Sequence, residues 1–284
     1  MSDKKELQKS EPKTRLTASE AFTQKVMAEF QGKVGGKLEL PETQRNLIQG
    51  YFIGVDKAIK AAEENRLRNN KWKRDKEDLP VTWNNVNMTD LALDVMHYSK
   101  LGLDITQKNN INAIPFKNNR TNKYDIGFIP GYVGIQLTAY KYAREVPVSV
   151  TTELVYKNDT FRIIKKSAEI PYDRYIFEID NPFDRGDIVG GFGYIEFKEP
   201  KKNRLVFMSM HDIEKRKPKY AAAEFWGGDK DKWEKGKKVG TEHIEGWYEE
   251  MCLKTLKRFV YGESNIERDP ENIDVIFIGS VIFE

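Results

Sequence analysis

The chain is poor in the residues that build most catalytic and metal centres. Its one cysteine, Cys252, excludes an intramolecular disulfide and any cysteine-built zinc site. The three histidines, His97, His211 and His243, lie far apart and show neither His-x-x-x-His nor His-Glu-x-x-His spacing, so they read as structural side chains. No stretch of about 18 apolar residues occurs, which leaves no hydrophobic membrane span. Met1–Ser19 is polar and charged and lacks the apolar centre of a secretory signal. A soluble protein of a reducing cytoplasm is the expectation. Neither GKVGGK (Gly32–Lys37) nor GGDKDKWEKGKK (Gly227–Lys238) has the Gly-x-x-x-x-Gly-Lys-Ser/Thr spacing of a phosphate loop. An ATP-driven recombinase or helicase is therefore not expected.

What the sequence does carry is charge and aromatic surface. Charged residues make up 32% and aromatics 12% of 284 residues, yet the net charge is only +3. The placement of charge, not its sum, must identify a partner. Residues 1–18 have little to bury and read as a disordered arm. A helical stripe begins near Ala18 with Phe22, Val26, Met27 and Phe30, and the breaker Gly32–Gly36 ends it. A second helix is expected over Pro41–Arg68, with Leu47, Ile48, Tyr51, Phe52, Val55 and Ile59 on one stripe and Pro41 suited to the first turn. The basic segment Arg66–Lys76 follows. A third helix spans Thr89–Lys100, with Gly102 as its cap.

Ile111–Lys117 and Tyr124–Ile129, joined by the turn NNRTN, form a β-hairpin, and Gly131–Arg144 reads as a short helix. Strands are expected at Val148–Tyr156, Phe161–Ile164, Arg174–Ile179, Ile188–Glu196 and Arg204–Met208. Helices return at His211–Lys217 and Thr241–Tyr261, separated by a polar linker, Lys219–Gly240. The apolar tail Asp274–Phe283 is a candidate docking strand. The order implies an α+β fold with one core, a β-hairpin plus an antiparallel meander flanked by helices. Its parts are an arm (1–18), a main domain (19–265) and a tail (266–284).

Two short motifs suggest chemistry. GGFGYIEF (Gly190–Phe197) nearly reproduces the octamer of RNA-recognition modules, whose aromatics stack on bases. In that reading Phe192 and Tyr194 serve a passive single-strand binder; the structural reading is a glycine-relieved central strand with core aromatics. Asp184 with Glu196-Phe197-Lys198 matches the Asp…Glu-x-Lys pattern of magnesium-dependent nucleases; the structural reading is a strand with a solvent-facing edge. No serine–histidine or cysteine–histidine arrangement supports nucleophilic catalysis.

Basic placement is more informative. Residues 201–238 hold twelve Lys/Arg against six Asp/Glu, including Lys215, Arg216, Lys217 and Lys219, with Trp226 and Trp233 interleaved. Cations neutralise phosphates while aromatic faces accept bases. The helix around MCLKTLKRFVYG places Lys254, Lys257 and Arg258 within about one turn of each other. Leu253, Leu256 and Val260 can then face a core.

These pieces resemble, in order, the RecT family of phage annealing proteins. Pro115-Phe116-Lys117 resembles that family's hairpin end. Gly131-Tyr132-Val133-Gly134 resembles its helix start, with Lys141 as the later basic residue. Val155-Tyr156 resembles a strand end, and Ile188–Phe197 with Leu205–Ser209 a strand pair. The basic helix start at Met210–Lys219 follows, and Met251–Arg258 resembles Met-x-Leu-Lys-Thr-x-x-Arg. The resemblance covers roughly residues 88–262, with Gly227–Gly240 longer than that pattern. It implies ATP-independent single-stranded DNA binding and annealing in recombination by a homo-oligomeric ring or filament, without bond-making catalysis. It also implies a 5′→3′ exonuclease and a host single-strand-binding protein as partners. No cofactor is implied for pairing, with magnesium as a modulator. Lys117, Lys141, Lys254 and Arg258 become phosphate contacts by this resemblance, Tyr132 and Gln136 lie near the strand, and Lys215, Arg216 and Lys217 form a further basic group.

Overall fold

The computed structural model describes residues 16–32, 41–68, 79–234 and 237–269. Most of the N-terminal arm, of the glycine breaker and of Arg66–Lys76, and the whole segment Asp274–Phe283, lie outside them. The α+β class and the antiparallel pairing hold. The single core does not: the chain divides into two compact units, 1–129 and 130–284. Buried apolar residues occur in both, among them Tyr51, Val55 and Leu91 in the first and Ile195, Leu256 and Val260 in the second.

The first unit contains α1 (Ala18–Gly32), α2 (Glu42–Arg68), α3 (Met88–Lys100) and the hairpin β1 (Ile111–Asn118)–β2 (Lys123–Pro130), whose last residue, Pro130, already belongs to the second unit. Thr17 and Glu20 cap α1 reciprocally: the Thr17 amide donates to the Glu20 carboxylate at 2.8 Å and the Glu20 amide to Thr17 Oγ1 at 3.3 Å. The stripe read for α2 is buried at Ile48, Tyr51, Val55 and Ile59. Tyr51 ends in a hydrogen bond to the Leu103 carbonyl at 2.9 Å, so its buried hydroxyl is satisfied. Trp83 stacks on Phe52 (centroids 5.1 Å apart) and donates to Asp56 at 3.0 Å.

The second unit contains α4 (Tyr132–Lys141), β3 (Ser149–Tyr156), β4 (Thr160–Ile164), β5 (Arg174–Glu178), β6 (Ile188–Glu196), β7 (Arg204–Ser209), α5 (Met210–Glu214), α6 (Ala223–Trp226), β8 (Gly228–Glu234), β9 (Lys237–Ile244) and α7 (Tyr248–Val260). In place of one meander, β3, β6 and β7 form a three-stranded sheet with β6 central, and β4–β5 is a separate hairpin. Tyr175 and Phe161 of that hairpin cover Phe192, with centroids 4.7 Å away in both cases. The other face packs on α7 through Ile195, Met208, Cys252, Leu256 and Val260.

Strand β6 explains the GGFGYIEF motif. Phe192 and Tyr194 point to one face, and Gly191 and Gly193 to the other, because side chains alternate along a strand. Phe192 is fully buried and Tyr194 nearly so, beneath the β4–β5 hairpin. On the α7 side, a Cβ at Gly191 would lie 2.7 Å from Leu256 and one at Gly193 2.4 Å from Val260. Gly191 and Gly193 let the helix press on the sheet, and Phe192 and Tyr194 are closed to a base.

Two sequence expectations are corrected here. Lys219–Gly240 is not a linker: it holds α6, β8 and the first half of β9, and the β8–β9 hairpin is almost all exposed. With no face buried, its strands need no apolar alternation, so the pattern read from sequence was absent. For the same reason the last helix starts at Tyr248 and not Thr241, since Thr241–Ile244 pair in β9. Residues at the start of the expected tail are tied down: Ile266 is buried, and the Arg144 amide donates to the Glu267 carbonyl at 2.9 Å.

Candidate nucleic-acid interface

Helix α7 is amphipathic by simple spacing. Cys252, Leu256 and Val260, four residues apart, are fully buried, while Lys254, Lys257 and Arg258 fall on the opposite side. Burial pushes the Cys252 thiol up to about 11, which leaves it un-ionised at neutral pH and chemically quiet. The outer stripe meets the start of α4. Arg258 Nη1 donates to the Pro130 carbonyl at 2.8 Å, and the Lys257 ammonium lies 5.7 Å from the centre of the Tyr132 ring. Desolvation of the Arg258 guanidinium lowers its pKa from the ordinary arginine value.

The α4 N-terminus adds to this positive surface. Gly131 supplies no side-chain cap and the first turn has no acidic residue, so amide donors and the positive end of the helix dipole stay uncompensated there. Gln136 follows Tyr132 by one turn and is half-buried. Lys141 is nine residues from Tyr132, about 180° around the helix, with its ammonium 5.1 Å from the Tyr142 ring. The structure therefore brings Tyr132 beside the outer stripe of α7, with Gln136 and Lys254 about one turn farther along their helices, and sets Lys141 on another side of α4. Lys257, absent from the expected contacts, belongs to the outer stripe; its spacing of three from Lys254 was the available signal.

The basic run after α5 is split between two uses. Ser209 and Asp212 form a capping box that starts this short helix. Arg216 then reaches over the Phe259 ring at 5.6 Å, flanking α7, while Lys217 lies 5.6 Å from the Trp226 ring. Lys215 is exposed. Trp226, expected as a base-accepting face, is buried and packs edge-on against Tyr248 at 6.2 Å. Trp233 is exposed on β8. Lys117 belongs to the first unit, half-buried near the end of β1 beside Phe116, whose ring covers Gly127 of β2.

The nuclease pattern does not assemble. Asp184 sits in a turn whose carbonyl accepts from Asn158, at the strand end where Tyr156 pairs with Ile188. Glu196 closes the far end of β6 and bonds to Ser149. Eight residue steps separate Ile188 from Glu196, roughly 26 Å of strand. Among the described residues, no group of three or more His, Cys, Asp or Glu is placed to hold a metal ion.

An antiparallel sheet packed on a helix with a cationic outer stripe puts the second unit in the α+β class. The family model of the RecT family matches residues 65–267, well over half of the chain, and the chain belongs to that family. Neither the curated proteins nor the solved structures contain a match. The family is one of single-stranded DNA annealing in recombination. Among the described residues, no helix is long and apolar enough to cross a membrane.

Proposed function

We propose that this protein coats single-stranded DNA and anneals it to a complementary strand without ATP, as the recombinase of a phage-type pathway. The observation that carries this reading is the outer stripe of α7, where Lys257 and Arg258, about one turn from Lys254, meet the uncapped start of α4. Fixed cations on a rigid helix neutralise backbone phosphates and release their counterions. Contacts to phosphates leave base edges unread, so a second strand can sample them. Pairing then supplies both specificity and free energy, and the protein acts as a scaffold and not as a bond-making enzyme.

In this reading Tyr132 and Gln136 line the strand beside Lys254 and Arg258. Lys215, Arg216 and Lys217 widen the positive field at the flank of α7. Lys117, in the first unit, and Lys141, on another side of α4, meet DNA elsewhere along a bound strand or in a neighbouring subunit of a ring or filament. No cofactor enters, and magnesium modulates pairing by screening phosphates. A 5′→3′ exonuclease supplies the single strand, and a host single-strand-binding protein occupies it beforehand. The test is the pairing rate of two complementary oligonucleotides without nucleotide. The reading expects acceleration that falls steeply with salt; binding without acceleration contradicts it.

A further inference from the structure

Two consecutive aromatic pairs, Phe225-Trp226 and Trp247-Tyr248, meet at the root of the β8–β9 hairpin. Their inner members, Trp226 and Tyr248, pack edge to face at 6.2 Å. Their outer members are left to solvent, Phe225 at 54% and Trp247 at 62% exposure. The two segments are locked together, because the Trp247 amide donates to the Phe225 carbonyl at 2.9 Å. Gly227 and Gly246 both take positive φ, 68° and 70°, and a Cβ on Gly246 would lie 2.5 Å from the Gly227 nitrogen. Only glycine permits that approach. The outer rings are thus held on an anchored base and not on a wandering loop.

Trp247 is also the N-cap of α7. Lys254 and Arg258 follow it by seven and eleven residues, which returns both to the same helical stripe within about 20°. At 1.5 Å per residue they lie about 10 Å and about 17 Å farther along the axis. Lys217, over the Trp226 ring, adds a cation beside the aromatic pair. Two isolated rings among charged residues are too small an apolar patch for a stable protein interface. Aromatic faces in line with phosphate-binding cations suit single-stranded nucleic acid.

We infer that Trp247 and Phe225 form a base-stacking platform at the N-terminal end of the α7 cationic stripe, which holds one end of the bound strand by its bases. This rests on the strand-binding reading above and names a contact of different chemistry. Phosphates are held toward the C-terminal end of α7 while bases stay free there; at the platform the strand is anchored and its register along the helix set. Stacking does not distinguish bases by their edges, so the anchor is sequence-tolerant.

The test compares an oligothymidylate with an abasic oligonucleotide of the same length, using the full chain. The wild type is expected to favour the base-bearing strand about ten-fold, the scale of base–aromatic stacking. Trp247→Ala and Phe225→Ala reduce that preference and keep the salt dependence, and Trp247→Phe retains most of it. Lys254→Ala does the reverse, flattening the salt dependence and keeping the preference. Tryptophan fluorescence is quenched by the base-bearing strand alone, and Trp247→Phe removes that quench, a readout that survives if the alanine variant fails to fold. An unchanged preference in Trp247→Ala, or an unchanged quench in Trp247→Phe, overturns the platform and leaves the cationic stripe standing. A wild type that binds neither strand overturns both. A change of oligomer mass in Trp247→Ala without DNA assigns the rings to a contact between copies and also overturns the platform.

Discussion

Strand β6 and helix α7 press against each other, yet their signature residues have opposite fates. The motif on β6 has the look of a nucleic-acid reader, and both of its faces are consumed by packing. Its glycines admit Leu256 and Val260, and its aromatics lie under Phe161 and Tyr175. The motif on α7 is unremarkable as sequence, and its outer stripe stays open beside Tyr132 and Pro130. An aromatic on a central strand is defined by what lies above the sheet. A cation on an amphipathic helix is defined by the helix alone, because the apolar stripe already fixes which side is free.

The largest effect is expected at the aromatic face. Phe192→Ala should cost about 4 kcal/mol in urea unfolding, as for other fully buried aromatics, while strand affinity per folded molecule holds. Lost affinity with little lost stability would return the β6 motif to a binding role. On the opposite face, Gly193→Ala should cost roughly 2 kcal/mol by overpacking against Val260. Combining it with Val260→Ala should cost less than the sum of the two single changes, since both act on one contact. Additive costs would show that helix and strand are not clamped there.

A third expectation concerns Asp173, which ties the covering hairpin to β7. Its carboxylate accepts from the Leu205 amide at 3.0 Å, the Lys166 amide at 2.9 Å and Lys165 Nζ at 2.5 Å. Burial alone would raise its pKa, but these bonds outweigh burial and hold it below the ordinary aspartate value. The stabilisation is therefore complete above the unfolded value near 3.9 and is lost as pH falls through the folded one. Asp173→Asn should cost about 2 kcal/mol at pH 7, with the gap from wild type shrinking toward pH 3. A gap independent of pH would contradict the ionised contact. Smallest of all, Lys254→Ala should change stability by less than about 0.5 kcal/mol and weaken strand binding similarly across sequences. A sequence-selective loss would instead mean that Lys254 reads bases.

The same contrast explains what was legible in the sequence. Strands β3 to β7 lie within a residue or two of their expected bounds, and α2 keeps its stripe, because one buried face imprints a period on the residues. The β8–β9 hairpin was read as a linker because Lys230, Lys232, Asp229 and Asp231 alternate between two solvated faces and leave no apolar period. At the candidate interface, the shared helix face of Lys254 and Arg258 was readable from helical spacing, and the helix start at Tyr132 from its resemblance to a family motif. That Arg258 reaches Pro130, or that Trp226 turns inward while Phe225 turns outward, depends on contacts distant in sequence. The division into two units was likewise hidden, since each supplies its own apolar set and the pattern does not say which sets merge.

The central claim is that the outer stripe of α7 holds phosphates. It is tested most directly by the slope of log affinity against log salt for single-stranded DNA, comparing wild type with Lys254→Ala/Arg258→Ala. Each phosphate contact on a single strand contributes about 0.7 to that slope. Removing two should flatten it by roughly 1.4, with unfolding by urea confirming that the variant remains folded. An unchanged slope in the folded double variant would contradict the claim.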